Sequence, residues 1–172
     1  EQFHPDFTRI NPNGKIPAIV DHDAPAPVIV FESAAILIYL AEKFETLMPQ
    51  SPPDRAMCMS WTIWQVANVG PRFGEAHHFT SKAPEAYPHA IERFSTEAAR
   101  LLLVMDKRLS EAAYLAGAYS IADIAVFPWI RVALESMATA RPDLVGATPH
   151  IRRWFAEIDA RPAVQRGLAM GR

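Results

Sequence analysis

Two residue pairs, Ile16-Pro17 and Glu32-Ser33, carry the chemistry for which this sequence can be read. Ser33 opens an apolar helical stretch, and the free amides and dipole at a helix N-terminus favour a ligand carboxylate. Glu32 beside it supplies the opposite charge for an α-ammonium group. Pro17 lies inside a β-branched run, where a proline gives up a ladder donor. Either that run is an edge strand, or the Ile16–Pro17 bond is cis and turns the Ile16 amide and carbonyl outward. An outward backbone pair captures an extended peptide by strand addition on a small scale. Singly, each residue has a plainer role: Ser33 a helix cap, Glu32 a solvated first-turn acid, Pro17 an edge-strand residue. Their order and spacing favour the site.

Other reactive side chains are less well placed. Arg93 lies off the apolar stripe of its helix with Glu97 and Arg100, spaced for an i,i+4 ion pair to Glu97. His77 and His78 diverge as adjacent helix positions, and no third ligand is spaced to help, so no metal site is expected. Cys58 has no cysteine partner at redox spacing and no base beside it, and reads as a semi-buried helix residue. Trp61, Trp64 and Phe73 read as packing residues, of which one or two could line an apolar pocket for a second reactant.

The positioning elements follow from patterning. Ile16–Val20 and Val28–Phe31 flank an Asp- and Pro-rich turn and read as a β-hairpin. The second run passes into a helix, Ala34–Phe44, apolar on nearly every face and therefore expected to be buried on two sides. Upstream, His4–Ile10 gives one weak amphipathic turn, and Asn-Pro-Asn-Gly at 11–14 is a strong turn signal. Leu47–Pro53, with three prolines, reads as a linker. Beyond it the pattern is helical: a segment capped at Asp54 and bent at Gly70-Pro71, then another from Tyr87 to Leu109 with apolar residues at steps of three and four. Ser120 and Asp123 form a capping box that opens a further helix, in which Pro128 predicts a kink. Pro149–Asp159 and Pro162–Leu168 close the chain as short helices. The expected fold is α+β and mostly α, with units at 1–46 and 54–172 joined by 47–53.

Composition narrows the function classes. The chain has 172 residues, half of them hydrophobic, and a net charge of −2. Nothing there points to nucleic acid or to a basic membrane surface. The longest apolar run, Ala34–Ala41, is far short of a membrane span. A lone cysteine excludes an intrachain disulfide and fits a reducing, cytoplasmic compartment.

Lys-Ile-Pro-Ala-Ile at 15–19 and Phe-Glu-Ser-Ala-Ala-Ile-Leu-Ile-Tyr-Leu at 31–40 resemble the glutathione-binding half of a glutathione transferase. Trp-Gln at 64–65, Gly-Pro at 70–71, His-His-Phe at 77–79, Ile-Glu-Arg at 91–93, Ala-Asp-Ile-Ala at 122–125 and Pro-Trp at 128–129 are similar to the nu class and its disulfide-reducing relatives. The resemblance implies a partial thioredoxin-like domain, lacking its first βαβ unit, followed by an all-α domain. It implies a cis Pro17, glutathione as co-substrate, and Gln2, Ile16, Pro17, Glu32, Ser33 and Arg93 as its binding residues. Lys15 ranks lower, because it points across the strand from Ile16. The thiol-activating residues of the class would lie upstream of Glu1, so no catalytic residue is assigned within this chain. The implied activity is disulfide reduction or transfer of the glutathione thiolate to a small electrophile, in a homodimer. A non-catalytic interaction module and an inactive fragment are the alternatives.

Overall fold

A computed structural model describes residues 1–134 and 148–170 of the chain. In order, the elements are α1 (Pro5–Ile10), β1 (Ala18–Asp21), β2 (Val28–Phe31), α2 (Ser33–Lys43), α3 (Pro52–Trp64), α4 (Gly70–Ser81), α5 (Pro88–Glu111), α6 (Ile121–Val132), α7 (Pro149–Asp159) and α8 (Pro162–Met170). Proline sets many of these starts, because at the first helical position it has no N–H to leave unpaired and a φ already suited to the helix. α1, α3, α5, α7 and α8 all begin on one.

This explains one correction at the stretch expected to be a linker. Pro52 and Pro53 fill the first two positions of α3, so Ser51 is the N-cap and Asp54 lies one turn inside. The Ser51 hydroxyl accepts from the Asp54 amide at 3.3 Å. The preceding residues are packed: Met48 is buried, and the Leu47 carbonyl accepts the Ile121 amide of α6 at 2.9 Å.

The bend expected at Gly70-Pro71 takes the form of a π-turn over Gln65–Val69, between α3 and α4. The Gly70 amide bonds to the Gln65 carbonyl, five residues back. Glycine suits the close packing there, since a Cβ would lie 3.2 Å from Gln65 Nε2 and 3.4 Å from the Trp129 ring. α6 itself runs through Pro128.

The core joins one stripe of α5 (Ala98, Leu101, Leu102, Met105, Leu109) to Ile121, Val126 and Ile130 of α6 and to Ile151, Trp154 and Ile158 of α7. Burial of each larger side chain contributes about 1.5–3 kcal/mol. Cys58 is fully buried in this core, deeper than expected, on a helix that packs on α6. Asp123 sits at the centre. Its carboxylate accepts from the amides of Leu115 and Ser120 at 3.0 Å each, from the Ser120 hydroxyl at 3.3 Å and from Trp154 Nε1 at 2.8 Å. Burial raises its pKa, and those donors oppose the rise. Asp106 of α5 caps α7 from across the core, accepting the His150 and Ile151 amides at 3.0 and 2.9 Å.

The strands pair antiparallel, with Ala18 opposite Phe31 and Asp21 opposite Val28. α2 is covered only in part: Ala34, Ile36 and Ala41 are buried, Leu37 and Ile38 half-buried and Ala35 exposed. Ala34 and Ile36 lie on opposite faces of the helix, and α2 packs on the hairpin and on α6, so the expected burial on two sides is met, with an exposed strip left at Ala35. No helix among the described residues is long and apolar enough to cross a membrane.

Candidate functional site

The loop ahead of β1 is built around one buried side chain. Asn11 donates from its amide to the Lys15 carbonyl at 2.6 Å and accepts the Asn13 amide at 3.0 Å, while its own carbonyl accepts from Gly14 at 3.0 Å. Gly14 has φ +63°, a conformation that costs a glycine little. This knot delivers Ile16 to the surface, 81% exposed, with its amide and carbonyl outside the strand register, which begins at Ala18. The Ile16–Pro17 bond is cis.

On the other side of the hairpin, Glu32 takes φ +70° as the N-cap of α2. That region is rare for a side-chain-bearing residue and commonly marks a functional turn. No side chain caps this helix end, and the first intrahelical bond is Ile36 N–H to the Glu32 carbonyl. The amides of Ser33, Ala34 and Ala35 are thus left without intrahelical acceptors, at the positive end of the dipole.

The opposite end of the hairpin is pinned to the same helix. Tyr39 Oη donates to Asp21 Oδ2 at 2.6 Å, and Lys43 Nζ bonds the same oxygen. Lys43 and then Tyr39 hold the Asp21 carboxyl well below the usual carboxylate range. The pin fixes the hairpin against α2, and with it the spacing of the site's two halves.

Ile16, Pro17, Glu32 and Ser33 line one hollow of about 250 Å³ together with Asn11, Asn13 and Lys15. Lys15, ranked lower from strand alternation, joins the group because it precedes the strand. Asn11 escaped notice as a positioning residue; its only sequence signal was the turn motif it opens. Gln2 lines an adjoining hollow that shares Ile16.

Arg93 is not brought to this group. It lines a separate hollow with Arg72, Phe94, Thr96 and Glu97. The expected pair with Glu97 does not form, since Arg100 takes both Glu97 oxygens at 2.8 Å. Trp61 and Trp64 meet edge-on at 5.1 Å and line an apolar hollow with Met57, Ser60 and Val104, whereas Phe73 is buried in the core. Among the described residues, no three or more His, Cys, Asp or Glu side chains are grouped to hold a metal ion.

Comparison with known proteins gives consistent matches. The family model described as glutathione S-transferase, N-terminal domain, matches residues 1–43, and that for the C-terminal domain matches residues 69–162. Disulfide-bond oxidoreductase YfcG of Escherichia coli is 44% identical, covering 97% of this chain and 77% of its own. Disulfide-bond oxidoreductase YghU of the same organism is 42% identical, and the chain spans 61% of its length. The crystal structure of a glutathione transferase from Burkholderia graminis, with two glutathione molecules bound per subunit, superposes with a TM-score of 0.90 at 42% identity, covering 97% of this chain and 72% of that one.

Proposed function

Because this chain belongs to the glutathione S-transferase family, we propose that it binds glutathione in the hollow between Ile16 and Ser33. We further propose that the intact protein uses the bound thiol to reduce disulfides or to attack an electrophile. One observation carries the reading: an exposed backbone edge at Ile16 and an uncapped, acid-flanked helix start at Ser33 line the same hollow.

Each part of the tripeptide finds a complementary group. The α2 amides and the Ser33 hydroxyl receive the γ-glutamyl carboxylate. Glu32 receives its ammonium group. Ile16 N–H and C=O pair with the cysteinyl backbone, strand to strand. Pro17 sets the edge from which Ile16 faces out, Lys15 offers a cation to the remaining carboxylate, and Gln2 flanks the hollow through its neighbour. Arg93 serves glutathione only across an interface between copies, because within one chain it opens elsewhere; the homodimer implied by the family resemblance supplies such an interface.

The thiol comes from glutathione, since Cys58 is buried away from the hollow. A free thiol has a pKa near ~8.5, and only the thiolate attacks. Lowering that value by about two units requires roughly 2.7 kcal/mol of anion stabilisation. The thiolate then attacks one disulfide sulfur, forming a mixed disulfide and expelling the other sulfur as thiolate. A second thiol resolves the mixed disulfide, so two thiols are oxidised for each disulfide reduced. Relatives named disulfide-bond oxidoreductase support this route, and a cytoplasmic setting supplies the reduced tripeptide.

Isothermal titration with reduced glutathione tests the reading. Glu32→Gln and Ser33→Ala are each expected to weaken binding about tenfold, the worth of one charge-assisted hydrogen bond. Unchanged affinity in both variants would overturn it.

A further inference from the structure

Resting on the reading at Ser33, we propose that Tyr39 and Lys43 are positioning residues that make the hollow selective for a γ-linked glutamyl peptide. Through Asp21 they set the angle between the hairpin and α2, and with it the gap a ligand must span from Ile16 to Ser33. The two anchors lie on different arms: Ile16 leads into β1, and Ser33 opens α2. The arms join at Glu32, whose φ of +70° turns the chain from β2 straight into the helix. A tilt of the hairpin about Glu32 therefore changes the gap directly.

Packing alone leaves that tilt poorly fixed. No residue of either strand is buried, and Ile29 and Phe31 of β2 are exposed. A two-stranded hairpin has little stability of its own in water. The polar pin closes the far end instead. Asp21 ends β1, and its side chain is only 9% exposed. One oxygen, Oδ1, accepts the Asp23 amide at 2.9 Å, which holds the carboxylate in place. The other accepts from Tyr39 Oη at 2.6 Å and from Lys43 Nζ. Charge-assisted bonds of this kind are among the strong ones, and α2 is itself seated on α6. Tyr39 lies about 9 Å along the helix from Ser33 by the helical rise, so the pin acts at the end of a long arm.

The gap matters because of how the ligand is linked. In a γ-linked glutamyl residue the α-ammonium and α-carboxylate stand two carbons further from the cysteinyl amide than in the α-linked isomer, each bond adding up to about 1.5 Å. Glu32 and Ser33 take that free amino-acid end, and the Ile16 backbone takes the cysteinyl amide. A fixed gap therefore admits one linkage at both anchors and excludes the other. Joined anchors gain over separate ones only when the linker matches their separation. A loosened hairpin holds glutathione less tightly and loses the discrimination.

Calorimetric titration of the full chain with glutathione and with its α-linked isomer, Glu-Cys-Gly, tests the proposal. The unmodified chain is expected to prefer glutathione by about tenfold or more. Tyr39→Phe combined with Lys43→Met keeps both side-chain bodies but removes the donors. It should lower glutathione affinity about tenfold and the isomer's by less than about twofold, so that the preference disappears. Lys43→Arg, which keeps a cation within reach of Asp21, should retain the preference. Asp106→Asn, which loosens the cap of α7 in the helical core, should lower the unfolding midpoint and leave the preference intact. Backbone dipolar couplings of the ligand-free double variant should show the hairpin reoriented against α2. An unmodified chain that binds both isomers alike, a preference that survives in the double variant, unchanged couplings there, or an equal loss in Asp106→Asn would each overturn the proposal. Failure of the unmodified chain to bind glutathione at all would instead overturn the reading at Ser33, on which the selectivity depends.

Discussion

The side-chain amide of Asn11 donates to the carbonyl of Lys15 at 2.6 Å, and the next residue is the one that offers its backbone to the hollow. Asn11 is 2% exposed and lines the floor of the same hollow. It acts on the site by holding the loop that presents Ile16.

Asn11→Ala is therefore expected to leave the Lys15 carbonyl and the Asn13 amide without their partners. Losses of this kind cost about 1–3 kcal/mol. Urea unfolding should show a lower midpoint with an unchanged slope. Titration should show weaker glutathione binding at temperatures where the variant remains folded.

At Asp123, substitution by Ala strands the Leu115 and Ser120 amides and the Trp154 indole N–H inside the core. The expected loss is about 3 kcal/mol or more, well above an ordinary cap loss of ~1 kcal/mol. Its pH dependence has a defined sign. Burial raises the Asp123 pKa above its ordinary 3.8, so the folded state binds that proton more tightly than the unfolded state. The associated stability is present below the unfolded value and declines as pH rises through the raised folded one. Asp123→Asn should remove that component of the urea-midpoint profile.

Asp21 works in the opposite direction. Lys43 and Tyr39 depress its pKa, so its contribution is present above the ordinary value of 3.8 and fades as pH falls toward the depressed one. Asp21→Asn should flatten the acid limb of the unfolding profile below about pH 5. Comparing it with Asp123→Asn separates the two groups, because their slopes differ in sign.

The sequence made the hairpin, the helix after it and the Ser120–Asp123 box readable, because each rests on local signals: alternation, turn residues and capping spacing. Ile16, Pro17, Glu32 and Ser33 were readable as a group for the same reason. What it concealed depended on contacts between distant segments. Nothing near Cys58 shows that its helix packs on α6. Pro52 and Pro53 carry the same signal in a linker as in a first helical turn, and only the Ser51 cap distinguishes the two. Gly70, which ends the π-turn, lies against Trp129, more than fifty residues later. Arg93 was placed by motif, but its neighbour across the hollow, Arg72, comes from another helix and left no local trace.

The most direct measurement is a reduced-glutathione titration of the 15N-labelled chain, following the backbone amides of Ile16 and Ser33. Binding as described shifts both along one saturable curve, with Ala34 and Lys15 following. Saturating glutathione that leaves Ile16 and Ser33 unmoved, or moves only residues distant from their hollow, would contradict the account.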